Sequence, residues 1–178
     1  MLKYIYILPL GEVSLDFLGK LKKDLENKFG FKIEIRNRVE MPDYVYNKEK
    51  DQYNSRIILN ELTKLSFKNT EKILAITDLD LFTEDLSYIF GQAETSGKIC
   101  LISSKRLNPK FYNKNFDKDL FYSRILKEAI HELGHTFGLK HCKNKKCVMH
   151  FSNNIEETDF KKSEFCEECG RVYQYVVL

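Results

Sequence analysis

The stretch His131-Glu-Leu-Gly-His-Thr-Phe-Gly-Leu-Lys-His141 decides how this sequence is interpreted. On a helix, His131 and His135 lie one turn apart on the same face, where two imidazoles can take two corners of a zinc tetrahedron. Gly138 allows the backbone to reverse, so that His141 can supply a third corner. The fourth corner is then open for water, which predicts a catalytic rather than a purely structural zinc site.

Glu132 lies beside the first histidine but is turned away from the ligand face. It is therefore placed to take a proton from a zinc-bound water and later to give it to a leaving amine. Zinc in such sites brings its bound water to a pKa of about 7 and polarises a carbonyl. The predicted reaction is hydrolysis of peptide bonds by attack of that water, with Glu132 as a base and not as a ligand.

Three other interpretations of the same residues stay open. A lone histidine is more often a satisfied core residue or a surface residue, although three at this spacing, with the glutamate and the glycine, favour a zinc site. The chain can also keep the zinc without turnover, as a zinc-stabilised module that binds peptides or proteins. A further alternative uses histidines and cysteines together for structure only.

A helix carrying this stretch is predicted to begin at a cap, Asp117 or Asp119, and to run to about residues 136–137. Gly138 stands where a left-handed residue commonly ends a helix. One helix face carries the apolar residues Leu126, Ala129, Ile130, Leu133 and Phe137. One side of the helix should therefore pack and the nearly opposite side should bind metal.

Upstream of this helix, apolar and amphipathic segments alternate as in an α/β protein. The predicted strands lie at about residues 3–9, 31–35, 72–77, 87–90 and 98–103. The predicted helices lie at about residues 14–28 and 55–65, and a polar connection runs from about Met41 to Asn54. The first helix should bury Leu15, Leu18, Leu21, Leu25 and Phe29. The 178 residues contain no Ser- or Gly-rich linker, so we expect a single domain over residues 1–178.

Composition narrows the possible partners. Hydrophobic residues make up 43% and charged residues 31% of the chain, and the net charge is +3, which is typical of a globular protein and gives no sign of a nucleic-acid or membrane-surface partner. The longest early apolar run, Tyr4 to Leu10, is shorter than a membrane span and lacks a cleavage site after it. We therefore expect a cytoplasmic monomer whose partner is a peptide or protein substrate.

Four of the five cysteines form two close pairs, Cys142-x4-Cys147 and Cys166-x2-Cys169. Four thiolates suit a closed structural zinc site, and a chain without an export signal favours metal ligation over disulfides. Two local disulfides, or reduced thiols without a role, stay open as alternatives. Cys100 lies in a predicted apolar strand and is interpreted as a core residue. The cofactor prediction is two Zn²⁺ per chain, one catalytic and one structural.

The histidine stretch followed by Met149 resembles the metzincin metallopeptidases, in which a methionine lies in a tight turn beneath the zinc histidines. With the two cysteine pairs added, residues 131–169 resemble one metzincin family, the archaemetzincins. The resemblance implies catalytic zinc on His131, His135 and His141, Glu132 as base, Met149 in the Met-turn, and structural zinc on Cys142, Cys147, Cys166 and Cys169. Two departures are visible: the interval from Met149 to Cys166 is one residue shorter than in the family, and His150 replaces an asparagine. We leave His150 outside the site.

The resemblance also implies a fold and a substrate geometry. It predicts a metzincin-like zincin with a twisted mixed sheet, whose antiparallel edge strand pairs with an extended peptide, and packed helices. Residues 1–138 would form an upper subdomain that includes the active-site helix, and residues 139–178 a small zinc-stabilised C-terminal subdomain. Ser87–Ala93 fits the edge strand, although an ordinary edge blunted by Gly91 fits equally.

Aminopeptidase activity is implied by the resemblance alone, and endopeptidase activity stays open. An aminopeptidase needs carboxylates that hold the α-amine of the substrate; the candidates are Glu84, Asp85, Glu94, Glu156 and Glu157. Tyr173 or Tyr175 can in principle stabilise an oxyanion, but aromatic residues in an apolar C-terminal stretch are usually core.

Overall fold

A computed structural model describes residues 2–14 and 16–178. The strands are β1 (Tyr4–Leu10), β2 (Lys32–Ile35), β3 (Tyr46–Asn47), β4 (Gln52–Asn54), β5 (Thr70–Thr77), β6 (Leu81–Phe82), β7 (Gly91–Ala93) and β8 (Ile99–Ser103). The helices are α1 (Leu18–Phe29), α2 (Ser55–Leu62), α3 (Lys118–Thr136), α4 (Ile155–Phe160) and α5 (Glu167–Val177). None of the helices formed by the described residues has the length and apolar character that crossing a membrane requires.

The main sheet has five strands in the order β2-β1-β5-β8-β7. The first four are mutually parallel, and β7 pairs with β8 in the antiparallel sense at the edge. The residues of β1 alternate between the two faces: Ile5 and Ile7 belong to one core cluster, and Tyr6 and Leu8 belong to the other. This confirms the predicted α/β fold with a mixed sheet and an antiparallel edge strand.

Helices cover both faces of this sheet. Helix α1 buries Leu18, Leu21, Leu25 and Phe29 in the same core cluster as the apolar face of α3, as predicted from the periodicity. Leu15, predicted for that face, lies outside the described residues. Helix α2 buries Ile58 and Leu62 against the opposite face. Helix α3 thus lies in a packed layer on one side of the sheet, close to its antiparallel edge.

Several element boundaries differ from the prediction. The strand predicted at 87–90 is wrong: the edge strand is Gly91–Ala93, because Ile89 bonds to Leu81 outside the main sheet while the Phe90 carbonyl accepts from Ser103. The chain therefore crosses between two sheets at this point. The supposed polar connection contains β3 and β4, which form a small sheet with β6. Helix α2 ends at Leu62, before the predicted end.

The C-terminal segment adds α4 and α5. Tyr173 on α5 is buried among the rings of Phe29, Phe137 and Phe165, and its hydroxyl donates to the Phe29 carbonyl at 2.7 Å. This confirms the core assignment for Tyr173. Tyr175, in contrast, is 84% exposed, because it lies on the opposite face of α5.

Candidate active site and metal centres

Both ends of α3 are fixed by side-chain hydrogen bonds. At the start, the Asp117 carboxylate accepts from the Leu120 amide at 2.9 Å, which makes Asp117 the cap of the two predicted candidates. At the end, the buried Lys72 ammonium donates to the Thr136 carbonyl at 2.8 Å. Gly138 follows with φ +86°, the left-handed conformation that reverses the chain toward His141.

The structure brings His131, His135 and His141 together, with their nearest ring nitrogens all within 4.8 Å of one another. The Nδ1 atoms of His131 and His135 each lie 2.8 Å from a backbone carbonyl, of Val148 and Leu139 respectively. A carbonyl only accepts, so each Nδ1 carries the hydrogen and each Nε2 carries a lone pair. The two Nε2 atoms lie 3.1 Å apart, an arrangement that fits a shared cation.

The electrostatics of the histidines agree with metal binding. Burial lowers the pKa of His131 well below its ordinary value and lowers the pKa of His135, so both rings are held in the neutral form that ligates zinc. His141 reaches the cluster from the exposed loop after α3, and partial burial lowers its pKa as well. Three neutral imidazoles with free Nε2 or Nδ1 atoms form a donor set suited to zinc.

Glu132 is 5% exposed and lies directly beneath the edge strand. A Cβ atom added at Gly91 would lie 2.7 Å from Glu132 Cγ and 2.9 Å from its Oε1, so the strand approaches this carboxyl where it lacks a side chain. Burial raises the pKa of Glu132 well above its ordinary value, and the adjacent Glu128 carboxyl raises it further. The carboxyl therefore lies between β7 and α3, next to the histidines.

Met149 is fully buried and packs against the active-site helix. A Cβ atom added at Gly134 would lie 2.5 Å from Met149 Sδ, so the thioether occupies space that any larger residue at position 134 would fill. The Met149 carbonyl also accepts from the Cys142 amide at 2.9 Å. Met149 therefore lies against the turn of α3 that carries His131 and His135.

A cleft of about 570 Å³ runs between β7 and the segment after Met149. Its lining includes the three histidines and Glu132, together with Gly91, Gln92, Tyr88, Phe151, Ser152, Glu128 and Lys161. Of the predicted acidic candidates, Glu84 and Asp85 line this cleft, while Glu94, Glu156 and Glu157 fall outside the lining among the described residues. Sequence analysis missed Glu128 and Lys161; the one available signal was the four-residue spacing of Glu128 and Glu132.

The four cysteines of the two pairs also come together, with all four sulfurs within 4.8 Å of one another. Cys142 Sγ and Cys166 Sγ lie 3.7 Å apart, and Cys147 Sγ accepts from the Cys166 amide at 3.2 Å. Sulfurs held at about 2.3 Å from one zinc ion in a tetrahedron are separated by about 3.8 Å, whereas a disulfide requires about 2.05 Å. The spacing therefore fits one shared ion, and the shortened interval before Cys166 does not prevent it.

Three further residues each contact a backbone carbonyl. His150 Nδ1 donates to the Cys142 carbonyl at 2.8 Å, so this ring is tied to the backbone between the two metal clusters. Cys100 is fully buried in β8, as predicted, and its Sγ contacts the Ile73 carbonyl. The Tyr173 hydroxyl donates to the Phe29 carbonyl inside the core.

An HExxH helix with a third histidine, a buried methionine beneath it and an antiparallel edge strand above it defines a zinc metallopeptidase of the metzincin type. Comparison with known proteins then identifies the family. The model of peptidase family M54 matches residues 15–174. The chain belongs to this family, the archaemetzincins.

Individual relatives agree with this membership. The archaemetzincin of Methanocaldococcus jannaschii is 42% identical over 174 residues, which cover 98% of this chain and 94% of the relative. The crystal structure of archaemetzincin from Methanopyrus kandleri superposes with a TM-score of 0.87 at 28% identity and covers 99% of this chain and 96% of its own. The Archaeoglobus fulgidus structure gives a TM-score of 0.82 at 33% identity and covers 95% and 99%.

Proposed function

We propose that this metallopeptidase cleaves peptide bonds with Glu132 as general base beside a catalytic zinc held by His131, His135 and His141. The observation that carries the proposal is the pair of Nε2 atoms of His131 and His135, 3.1 Å apart, with both Nδ1 hydrogens donated to carbonyls. Zinc, when bound, supplies the Lewis acidity that lowers the pKa of water and polarises a carbonyl.

The residues of the chain perform the remaining steps. In its ionised form, the Glu132 carboxylate takes a proton from the attacking water and returns it to the leaving amine. Strand β7 is bonded to β8 on one side, and its residues Gly91–Ala93 line the cleft. An extended peptide that adds to β7 as a further strand would therefore pass over Glu132. This arrangement supports a peptide substrate bound in the extended conformation.

A second zinc, on Cys142, Cys147, Cys166 and Cys169, would have a structural role. Four thiolates leave no open position for water or substrate. His141 and Cys142 are consecutive, so this zinc would fix the loop that delivers the third histidine. The proposed stoichiometry is two zinc ions per chain, with residues 139–178 as a small subdomain held by the second one.

Removal of N-terminal residues is the more specific proposal. Glu84 and Asp85 line the same cleft as Glu132, on the exposed loop after β6. Carboxylates at one end of a peptide groove can hold the α-ammonium group of a substrate. The Arg56 guanidinium lies 3.7 Å from the Glu84 carboxylate and pairs with it. Asp85 is therefore the stronger candidate for binding the α-ammonium group of the substrate.

The central test compares the zinc-loaded parent with its Glu132→Gln variant on a mixed-sequence peptide pool, read by mass spectrometry. We expect the variant to keep its zinc and its hydrolysis to fall by orders of magnitude, whereas Glu168→Gln, at an exposed glutamate, should retain the parental rate. Equal rates for Glu132→Gln and parent would remove Glu132 from the mechanism. Tight peptide binding without cleavage by the zinc-loaded parent would favour the binding module.

The same pool separates the two kinds of peptidase. Stepwise loss of residues from free N-termini, abolished by N-acetylation of the peptides and weakened by Asp85→Asn, is the expected result. Internal cuts that are indifferent to N-acetylation would identify an endopeptidase instead.

A further inference from the structure

A buried group of charges lies behind Glu132. Lys161 is 2% exposed and Glu128 is 5% exposed, and both line the cleft. The Lys161 ammonium lies 3.9 Å from Glu128 Oε2, and Glu128 lies one helical turn before Glu132 on α3. The three side chains therefore form a line from Lys161 through Glu128 to the proposed base.

The ammonium at the end of this line joins three segments of the chain. Glu128 and Glu132 are four residues apart and share one face of α3. Lys161 directly follows α4, and its Nζ also donates to the His150 carbonyl at 3.2 Å, next to Met149. A shift in any of these segments would be transmitted to the Glu132 side chain.

Fold stability does not account for this arrangement. Burial of an ammonium and two carboxyls costs free energy, and an apolar set of similar volume often packs equally well. Glu128 Oε2 has no hydrogen-bond partner among the residues that the structure describes, and the Lys161 contact to it is longer than a hydrogen bond. The group is thus incompletely satisfied, which is typical of a site that serves another purpose.

The attachment of α4 to α3 is provided by other side chains. The Arg124 guanidinium makes two 2.7 Å bonds to the Asp159 carboxylate, and Lys127 donates to the Thr158 and Asp159 carbonyls at 3.0 and 2.9 Å. Lys127 is therefore a matched comparison for Lys161: a buried lysine at the same interface whose ammonium bonds backbone carbonyls of α4.

We propose that Lys161 and Glu128 are positioning residues for Glu132. The Lys161 ammonium fixes the Glu128 carboxylate, and Glu128, its neighbour one turn along α3, keeps the Glu132 carboxylate turned toward Gly91 in the orientation that proton transfer requires. This inference rests on the proposed role of Glu132 as the base. Lys161 and Glu128 act through Glu132, so their effects should disappear when that carboxyl is absent.

The test measures kcat, KM, bound zinc and melting temperature for Lys161→Met and Lys127→Met, each in the parent and in the Glu132→Gln background. For Lys161→Met we expect a fall in kcat of about 10²-fold with KM unchanged and zinc retained. The same change in the Glu132→Gln background should not lower the residual rate further. Lys127→Met should lower the melting temperature while kcat stays within about twofold of the parent.

Other outcomes would overturn the proposal. An unchanged kcat in Lys161→Met, or an equal fall in both backgrounds, would make Lys161 a structural residue only. If Lys161→Met does not accumulate as folded protein, Glu128→Gln provides the same test with a side chain of equal size, and the same fall in kcat is expected.

The melting temperatures separate failure of this inference from failure of the proposed function. If the zinc-loaded parent cleaves no peptide, the peptidase proposal fails, but the coupling is still measurable. Lys161→Met leaves two buried carboxyls without their cation, so it should lower the melting temperature more in the parent than in the Glu132→Gln background. Equal shifts in both backgrounds would contradict the coupling, and Lys127→Met should show such equal shifts.

Discussion

At the scale of single residues, Glu132 is buried in surroundings that disfavour its charged form. Burial raises its pKa well above the ordinary value, so without metal the folded chain keeps a proton that the unfolded chain releases above a pH of about 4.5. The stability that this bound proton contributes is therefore lost as the pH rises from about 4.5 toward the raised pKa of Glu132. Glutamine does not titrate, so a Glu132→Gln variant should not lose stability in this way.

This linkage predicts the behaviour of the metal-free Glu132→Gln variant. Its melting temperature should exceed that of the parent near pH 8, and the difference should shrink as the pH falls toward about 4.5. Thermal unfolding followed by circular dichroism in chelator measures it, with Glu168→Gln as the control. A difference that is constant with pH, or that grows on acidification, would contradict the assignment of a raised pKa.

The residues of the site differ in how far the sequence predicts them. Spacing alone brings His131, His135 and His141 together, because helix geometry and one left-handed glycine fix their relative positions. Lys161 and Glu128 escape prediction, since a contact between α3 and the end of α4 depends on tertiary packing. The histidine positions depend on local backbone geometry, whereas the contact between Lys161 and Glu128 depends on long-range packing.

At the scale of elements, the contact between β7 and α3 places Glu132, the proposed base, beneath the edge strand. A Cβ atom at position 91 would clash with Glu132 Cγ and would also lie 2.9 Å from the Leu101 carbonyl. Movement of the flexible Glu132 side chain alone therefore cannot relieve both contacts. Gly91→Ala should displace Glu132 or the strand and lower kcat by about 10²-fold with zinc retained. Kinetics with metal analysis measures this effect.

A glycine without close neighbours provides the control for that change. Gly170 has nothing within 4 Å of an added Cβ, so Gly170→Ala should leave kcat unchanged. If Gly91→Ala were as active as the parent, the close approach of β7 to Glu132 would have no bearing on catalysis.

The end of α3 depends on a lysine from the sheet. Lys72 Nζ donates to the carbonyls of Thr136 and Gly97, both at 2.8 Å, and burial lowers its pKa. Lys72→Met leaves both carbonyls without this donor and should reduce the free energy of unfolding by about 1–3 kcal/mol in urea titrations. Lys98→Met, at an exposed lysine, should change it by less than about 0.5 kcal/mol. If Lys72→Met and Lys98→Met reduced the free energy of unfolding equally, Lys72 would not act as a cap for α3.

The elements that sequence analysis placed correctly are those with a strong local period. Helix α1 and strands β1, β5 and β8 are long or fully apolar, so packing on the sheet agrees with their intrinsic pattern. The strand expected at 87–90 failed because Ile89 and Phe90 bond to different sheets, which hydrophobic alternation does not encode. Strands β3, β4 and β6 are too short to give a period.

At the scale of the whole molecule, the histidine and cysteine clusters meet at the loop that follows α3. His141 and Cys142 are neighbours in the chain but belong to different clusters, and α5 returns Tyr173 to the core formed by α1 and α3. Helix α5 is thus attached twice, by the cysteine cluster that joins it to the loop after α3 and by the aromatic packing of Tyr173.

This double attachment predicts what the loss of one ligand does. Cys169→Ser should reduce bound zinc from two ions per chain to one, because three thiolates hold the structural ion less tightly. Structural zinc in small modules supplies about 10–16 kcal/mol, so residues 167–177 should lose hydrogen-exchange protection while α3 retains it through the sheet. Cys100→Ala, at the cysteine buried away from both clusters, should keep two zinc ions and full protection of α5. If Cys169→Ser kept both ions, a shared site on the four cysteines would be contradicted; if α5 stayed protected after zinc loss, the aromatic contacts of Tyr173 alone would be sufficient to hold it.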